Sequence, residues 1–194
     1  MKRTVLLVLM GVIVTLGVTA QWSVGLTGGV NYIVGSEYDV DGGKRLGFPV
    51  FAEVGYDIEL GLANPTVGAK VGFINNLFGA DYEETIFGET FKTESSSRSI
   101  PVIGFLRYPF GLFFVEAGLG VHLWTVEAEA TSPLTGTVSA DDNGVGYYSS
   151  FTGGVEIGVA DTISVRGGPV VTILGFDSGS DTFIGATVGA SFEF

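Results

Sequence analysis

Apolar residues fall on every second position in eight separate stretches of this chain. Period two marks extended strands whose two faces meet different surroundings. In the first stretch Trp22, Val24, Leu26, Val30 and Tyr32 share one face, and Ser23, Gly25, Thr27, Gly29 and Asn31 share the other. The second sets Phe48, Val50, Ala52, Val54, Tyr56 and Ile58 against Pro49, Phe51, Glu53, Gly55 and Asp57. The same alternation returns at 66–73, 99–108, 113–123, 147–159, 163–173 and 184–194. Gly167-Gly168-Pro169 is expected to bend or bulge the seventh strand, because proline cannot donate to a ladder.

The connections alternate in length. Residues 59–64, 109–111 and 160–162 read as short turns, and 34–46, about 75–97, 126–144 and 174–182 as long polar loops. An even number of antiparallel strands with tight turns at one end and long loops at the other is how membrane barrels are built. The expectation is an all-β, eight-stranded, antiparallel up-and-down transmembrane β-barrel.

Two barrels with opposite chemistry share this pattern. A soluble lipocalin-like barrel would turn its apolar face inward around a ligand, and a membrane barrel turns it outward. The apolar faces of the eight segments carry no charge. Their opposite faces are rich in Gly, Ser and Thr rather than in the Lys and Glu of a solvated sheet. That favours the membrane barrel, with glycine relieving crowding in a narrow lumen.

Composition narrows the function. The 21 acidic residues against 9 bases give a formal net charge of −12, which leaves no basic patch for nucleic acid. There is no cysteine and one histidine, His122, so thiol chemistry and a histidine-rich metal site are excluded. Nothing calls for a cofactor. Met1-Lys2-Arg3, an apolar run from Thr4 to Leu16 and the small residues Val18-Thr19-Ala20 read as a signal peptide, residues 1–20, cleaved before Gln21. The mature domain is then 21–194, with 7 bases against the same 21 acids.

Inward charges need partners. Counting outward from the short turns places Glu53 opposite Lys70 and Glu156 opposite Arg166. A symmetric loop at 126–146 would set Glu116 beside Glu156, with Arg107 diagonal to Glu116. The expected lumen ion network is therefore Glu53, Lys70, Arg107, Glu116, Glu156 and Arg166, a plug in preference to an ion path. His122 and Ser99 are expected opposite one another on inward faces. That is a nucleophile and base in principle, but no orienting acid is evident, and a hydrogen-bonded lumen pair is favoured over an enzyme. Trp22, Tyr56, Tyr108, Phe113, Phe192 and Phe194 read as an aromatic girdle at the short-turn end. Asp39, Asp41, Glu83, Glu84, Glu127, Glu129, Asp141, Asp142, Asp177 and Asp181 make the long loops acidic, where divalent cations could bind and bridge to anionic lipid.

The pattern resembles the small eight-stranded outer-membrane barrels, the OmpA/OmpX-like and OmpW-like group, over 21–194. Most of this is generic alternation. More specific are Ser99 to Phe110 before a tight turn, the small-residue strand Val115 to Val121, and the terminus Val188-Gly-Ala-Ser-Phe-Glu-Phe194. The resemblance implies an assembly signal at Val188, Ala190, Phe192 and Phe194, read by the barrel assembly machinery, and outer-membrane lipids around the wall. It implies a structural or surface-interaction role in the cell outer membrane. A narrow channel or hydrophobic-ligand conduit of the OmpW type is the second reading, and the soluble lipocalin-like binder the third. No peptidoglycan-binding domain is expected after Phe194.

Overall fold

The computed structural model describes residues 21–34, 43–59, 64–75, 79–86, 89–132, 136–177 and 179–194. The expected signal peptide and the acids Asp39 and Asp41 lie outside these described residues. The strands are β1 (Gln21–Val34), β2 (Gly43–Lys44), β3 (Leu46–Asp57), β4 (Thr66–Asn75), β5 (Gly79–Ile86), β6 (Glu89–Phe110), β7 (Phe113–Ser132), β8 (Gly136–Ala160), β9 (Ile163–Phe176) and β10 (Gly179–Glu193). Eight of them close a ring in the order β1-β3-β4-β6-β7-β8-β9-β10, sealed by β10 against β1 from Ser23–Glu193 to Val34–Thr182. All these ladders are antiparallel, so the wall has no unpaired edge within the ring, as hydrocarbon requires.

The apolar faces point outward. Leu119, Leu26 and Val188 are 71%, 65% and 62% exposed, and exposed positions alternate with buried ones over 46–55 of β3 and 97–108 of β6. A belt of exposed Val, Leu, Ile and Phe without a charge is a surface for lipid. The lipocalin arrangement, with that face enclosed, is the reverse of what is observed.

Three strands outrun the ring. β6, β7 and β8 have 22, 20 and 25 residues, where crossing a bilayer takes about 9–11. The stretches expected as long loops at 75–97 and 126–144 are largely strand. β5 pairs with β6 from Asp81–Glu94 to Ile86–Glu89, and β7 stays paired with β8 to Ser132–Gly136. The cause lies in the side chains. Past Leu123 the outward positions turn polar (Thr125, Glu127, Glu129) while Val126, Ala128 and Ala130 take the other face. The strand goes on with its polarity inverted, as suits a sheet leaving hydrocarbon for water.

Pro169 does not bend β9. Its register on β10 runs unbroken through Thr187–Gly168 and Ala186–Pro169, and the irregularity falls instead between Gly158 and Ala160 of β8. The ladder with β8 simply lapses between Thr152–Val170 and Val155–Gly167, which sets Gly153 across from Pro169. Pro49 and Pro101 behave alike. Each sits in a similar lapse, with Gly29 and Gly72 across the gap. A bare glycine opposite lets the strand skip one bond without swelling.

Two layers fill the barrel. Toward the long-loop end Ile33, Phe51, Ile74, Ile103, Tyr148, Leu174 and Phe183 form one buried apolar cluster, with Phe176 packed on it. Inward glycines make room for rings. A Cβ at Gly68 would stand 2.5 Å from the Phe105 ring, and one at Gly72 would strike Phe51. The second layer is ionic.

Candidate functional site: the lumen ion network

Glu53 on β3 is the hub of this layer. Its register partner on β4 is Lys70, whose Nζ lies 3.3 Å from Glu53 Oε2. Arg107 Nη2 donates to Glu53 Oε1 at 3.2 Å, and Arg166 forms an ion pair with the same oxygen from the far wall. Glu116 supplies the second centre. Lys70 Nζ reaches its Oε1 at 2.5 Å, and Arg107 donates to its Oε2 through Nε at 3.0 Å and Nη2 at 2.7 Å. The rings of Phe105 and Phe114 flank the cations, with Lys70 Nζ 4.7 Å and Arg107 Cζ 5.1 Å from the Phe105 centroid. Glu53, Arg107, Glu116 and Arg166 are all buried. Three cations meet three carboxylates, so the layer is charge-balanced, the condition for burying ions at all.

Glu156 is the outlying member. It does not lie beside Glu116, which faces Thr152. The β7–β8 hairpin continues to Ser132–Gly136, so its turn falls earlier than a loop centred in 126–146 allows. Every pair therefore shifts, and Glu156 drops toward the short-turn end. There it faces Arg166 in register, 3.8 Å from Nη1, and accepts a hydrogen bond from Ser164 Oγ at 2.8 Å. Arg107 is directly opposite Glu116 rather than diagonal to it. Pairing adjacent strands could not reveal the cross-lumen contacts of Glu53 with Arg107 and Arg166. The available signal was that each inward base, Lys70, Arg107 and Arg166, faces an acid or lies near one in its hairpin.

Ser99 and His122 meet, though not by register. His122 faces Pro101 and Ser99 faces Trp124, yet Ser99 Oγ lies 2.9 Å diagonally from His122 Nδ1. His122 Nε2 lies 2.8 Å from the carbonyl of Gly175. A carbonyl only accepts, so Nε2 carries the proton and Nδ1 accepts from the serine hydroxyl. Both residues are fully buried, with the Phe176 ring edge-on to the imidazole at 5.1 Å. A substrate has no approach to this serine.

The six girdle residues lie at the short-turn end. Trp22 meets Tyr56 edge-on at 5.1 Å, Phe192 stacks on Phe194 at 6.3 Å, and Phe113 is exposed. Tyr108 packs at 4.8 Å on Phe110, an aromatic not expected in this ring. Val188, Ala190, Phe192 and Phe194 all point outward from the end of the chain, the first three paired with Gly28, Leu26 and Val24 of β1. Glu83 and Glu84 stand on β5, Glu127 and Glu129 on β7, and Asp141 and Asp142 on β8, in strands instead of loops.

No family model matches the chain, and no curated protein matches it. Solved structures do. Ail, the attachment invasion locus protein of Yersinia pestis, crystallised with the heparin analogue sucrose octasulfate, superposes with a TM-score of 0.53 at 11% identity, over 91% of this chain and 100% of that one. This chain has the fold of a small eight-stranded outer-membrane β-barrel. Two further barrels cover the same 91% of this chain and all of their own. They are a major outer membrane protein of Thermus thermophilus (TM-score 0.49, 16% identity) and Neisserial surface protein A (0.48, 15%). In this barrel the ion layer and the apolar cluster stand one above the other across the lumen.

Proposed function

We propose that the protein is exported by a signal peptide, residues 1–20, cleaved before Gln21, and resides in the outer membrane as a plugged barrel. Its role is structural and surface-directed, not enzymatic. One observation carries this reading. The lumen is filled by an apolar layer and a balanced ionic layer, while β6, β7 and β8 run far beyond the lipid-facing belt. The chain builds outward into water and leaves little passage within. Outer-membrane lipids around the belt and the barrel assembly machinery at Val188, Ala190, Phe192 and Phe194 are the partners implied. Divalent cations would act at the acidic strands as diffuse counter-ions, since among the described residues no three acidic or histidine side chains group closely enough to hold a metal ion. Glu94, Glu127, Glu129 and Asp141 give the exposed sheet a negative outward face, which would repel a polyanion such as the heparin analogue bound to Ail.

A narrow channel is the second reading, and one observation favours it. A cavity of about 40 Å³ lies in the lumen, lined by Thr27, Asn31, Lys70, Glu116, Tyr148 and Arg166 among others. That is room for a few water molecules at about 10–15 Å³ each. Electrophoresis in SDS with and without boiling tests the barrel. A compact fast band that slows on heating is expected, and its absence would end the proposal. Planar-bilayer recording separates the two readings, because the plugged barrel is silent and a channel conducts in discrete steps.

A further inference from the structure

Strand β8 outruns one of its two neighbours. Its last pair with β9 toward the long-loop end is Tyr148–Leu174, whereas its ladder with β7 continues to Ser132–Gly136. Residues 136–145 therefore have one paired edge and one edge that no described strand pairs, and 136–143 are all exposed. A row of open N–H and C=O groups is a template for another extended chain. Proteins blunt such edges with lysine, proline or bulges. This one has no lysine or proline over Gly136-Thr-Val-Ser-Ala-Asp-Asp-Asn-Gly144 and keeps unbroken register with β7; its charges are acidic, and Asn143 N–H already donates to Asp142 Oδ1 at 2.8 Å.

What the edge does carry is Asp141 and Asp142. Adjacent strand residues point to opposite faces, so Asp141 stands outward, across from Glu127, and Asp142 stands on the other face, across from Val126. Glu94 and Glu129 also face each other directly. Like charges in direct opposition are unfavourable; Arg98 offsets the first pair at Glu127, and further positive charge would relieve the rest. Both bases of the β6 extension are engaged. Arg98 bridges Glu127 at 2.5 Å, and Lys92 bridges Glu83 at 3.2 Å. The outward face is also concave, a groove of about 530 Å³ lined by Glu94, Arg98, Glu127, Glu129 and Asp141 among others.

We propose that the open edge of β8 takes up an extended cationic peptide segment as an added strand, its Lys or Arg side chains set against Asp141 on one face and Asp142 on the other. Backbone pairing supplies the docking and the acids select the partner. Because acids occupy both faces, a peptide with basic residues at alternate positions finds a partner in either phase. A second copy of this chain is a poor occupant. Two β8 edges paired antiparallel about this centre would set Asp141 of each copy opposite Asp142 of the other. The proposal rests on the outer-membrane reading, which puts this sheet outside the bilayer.

Fluorescence anisotropy on the mature protein, residues 21–194, in detergent tests it, with a labelled peptide of alternating lysine and threonine as the probe. The peptide is expected to bind. The same peptide N-methylated at every backbone amide is expected to bind at least about tenfold more weakly, because it keeps the charge and loses strand pairing. A version with glutamate for lysine is expected not to bind, and D141N/D142N protein to lose about tenfold, or ~1.4 kcal/mol. Slowed hydrogen exchange at residues 137–144 on binding locates the contact. Equal binding of the N-methylated peptide, or no binding of the parent, overturns the proposal. A heat-shifting compact band from the same sample separates the outcomes. With that band present, failure to bind sinks the edge proposal alone, and without it the barrel reading falls as well.

Discussion

At the scale of single residues, Glu53 and Glu156 carry the same charge on the same inward surface and have unlike consequences. Glu53 is almost wholly enclosed and shared by Lys70, Arg107 and Arg166, so its neutralisation strands buried cations. Glu53→Gln is expected to lower stability by about 3–5 kcal/mol, read as a lower temperature for the mobility shift in SDS. Glu156 is one-quarter exposed with its cation at 3.8 Å, and Glu156→Gln is expected to cost at most about 1 kcal/mol. Glycine matters where a ring needs its space. Gly68→Ala drives a methyl into Phe105 and the backbone of Val54, for an expected loss of about 1–3 kcal/mol. Phe105→Leu in the same chain should recover part of that loss, since the ring is one of the two obstacles, and a double-mutant cycle measures how much.

At the scale of elements, the ring was legible because its outward face carries no charge and period two recurs in all eight strands. Two things were not. The extensions of β6, β7 and β8 reverse polarity, so a search for apolar alternation stops at Leu123 although Val126, Ala128 and Ala130 still alternate with Glu127 and Glu129. The apolar plug was hidden for another reason. Ile33 sits between Tyr32 and Val34, Ile74 beside Phe73, Leu174 beside Ile173 and Phe183 beside Ile184. Where both faces are apolar, alternation flattens and the inward residue cannot be told from its neighbour. Of the ion layer, the pairs across short turns were readable by counting. Those depending on the long β7–β8 hairpin or on non-adjacent strands were not, because hairpin length and lumen width are set by the closed ring. Hydrogen exchange should divide β8 accordingly. Amides of 148–158, with a partner strand on each side, are expected to be protected, whereas 136–144 should exchange fast at alternate positions. Uniform protection along β8 would contradict the open edge.

At the scale of the whole molecule, the two layers block the lumen independently. Arg107→Ala breaks the ionic layer and leaves Ile33, Ile74, Leu174 and Phe183 in place. It is expected to weaken the barrel yet remain electrically silent in a planar bilayer. Discrete conductance from that single change would show that the apolar cluster is no seal. The outer wall carries a further consequence. On three adjoining strands the last apolar row is Ile100, Leu123 and Val145, and the next is Arg98, Thr125 and Asn143, residue for residue in register. That line works like the load mark on a hull. It fixes how deep the barrel rides, since sinking by one row would drag Arg98 into hydrocarbon. Among the described residues the tall side is built by β6, β7 and β8 with β5 laid along β6, so the vessel also has a bow. A neighbour drifting in the membrane meets bare flank along β1 and β10, and on the opposite side a negatively charged parapet that holds acidic company at a distance.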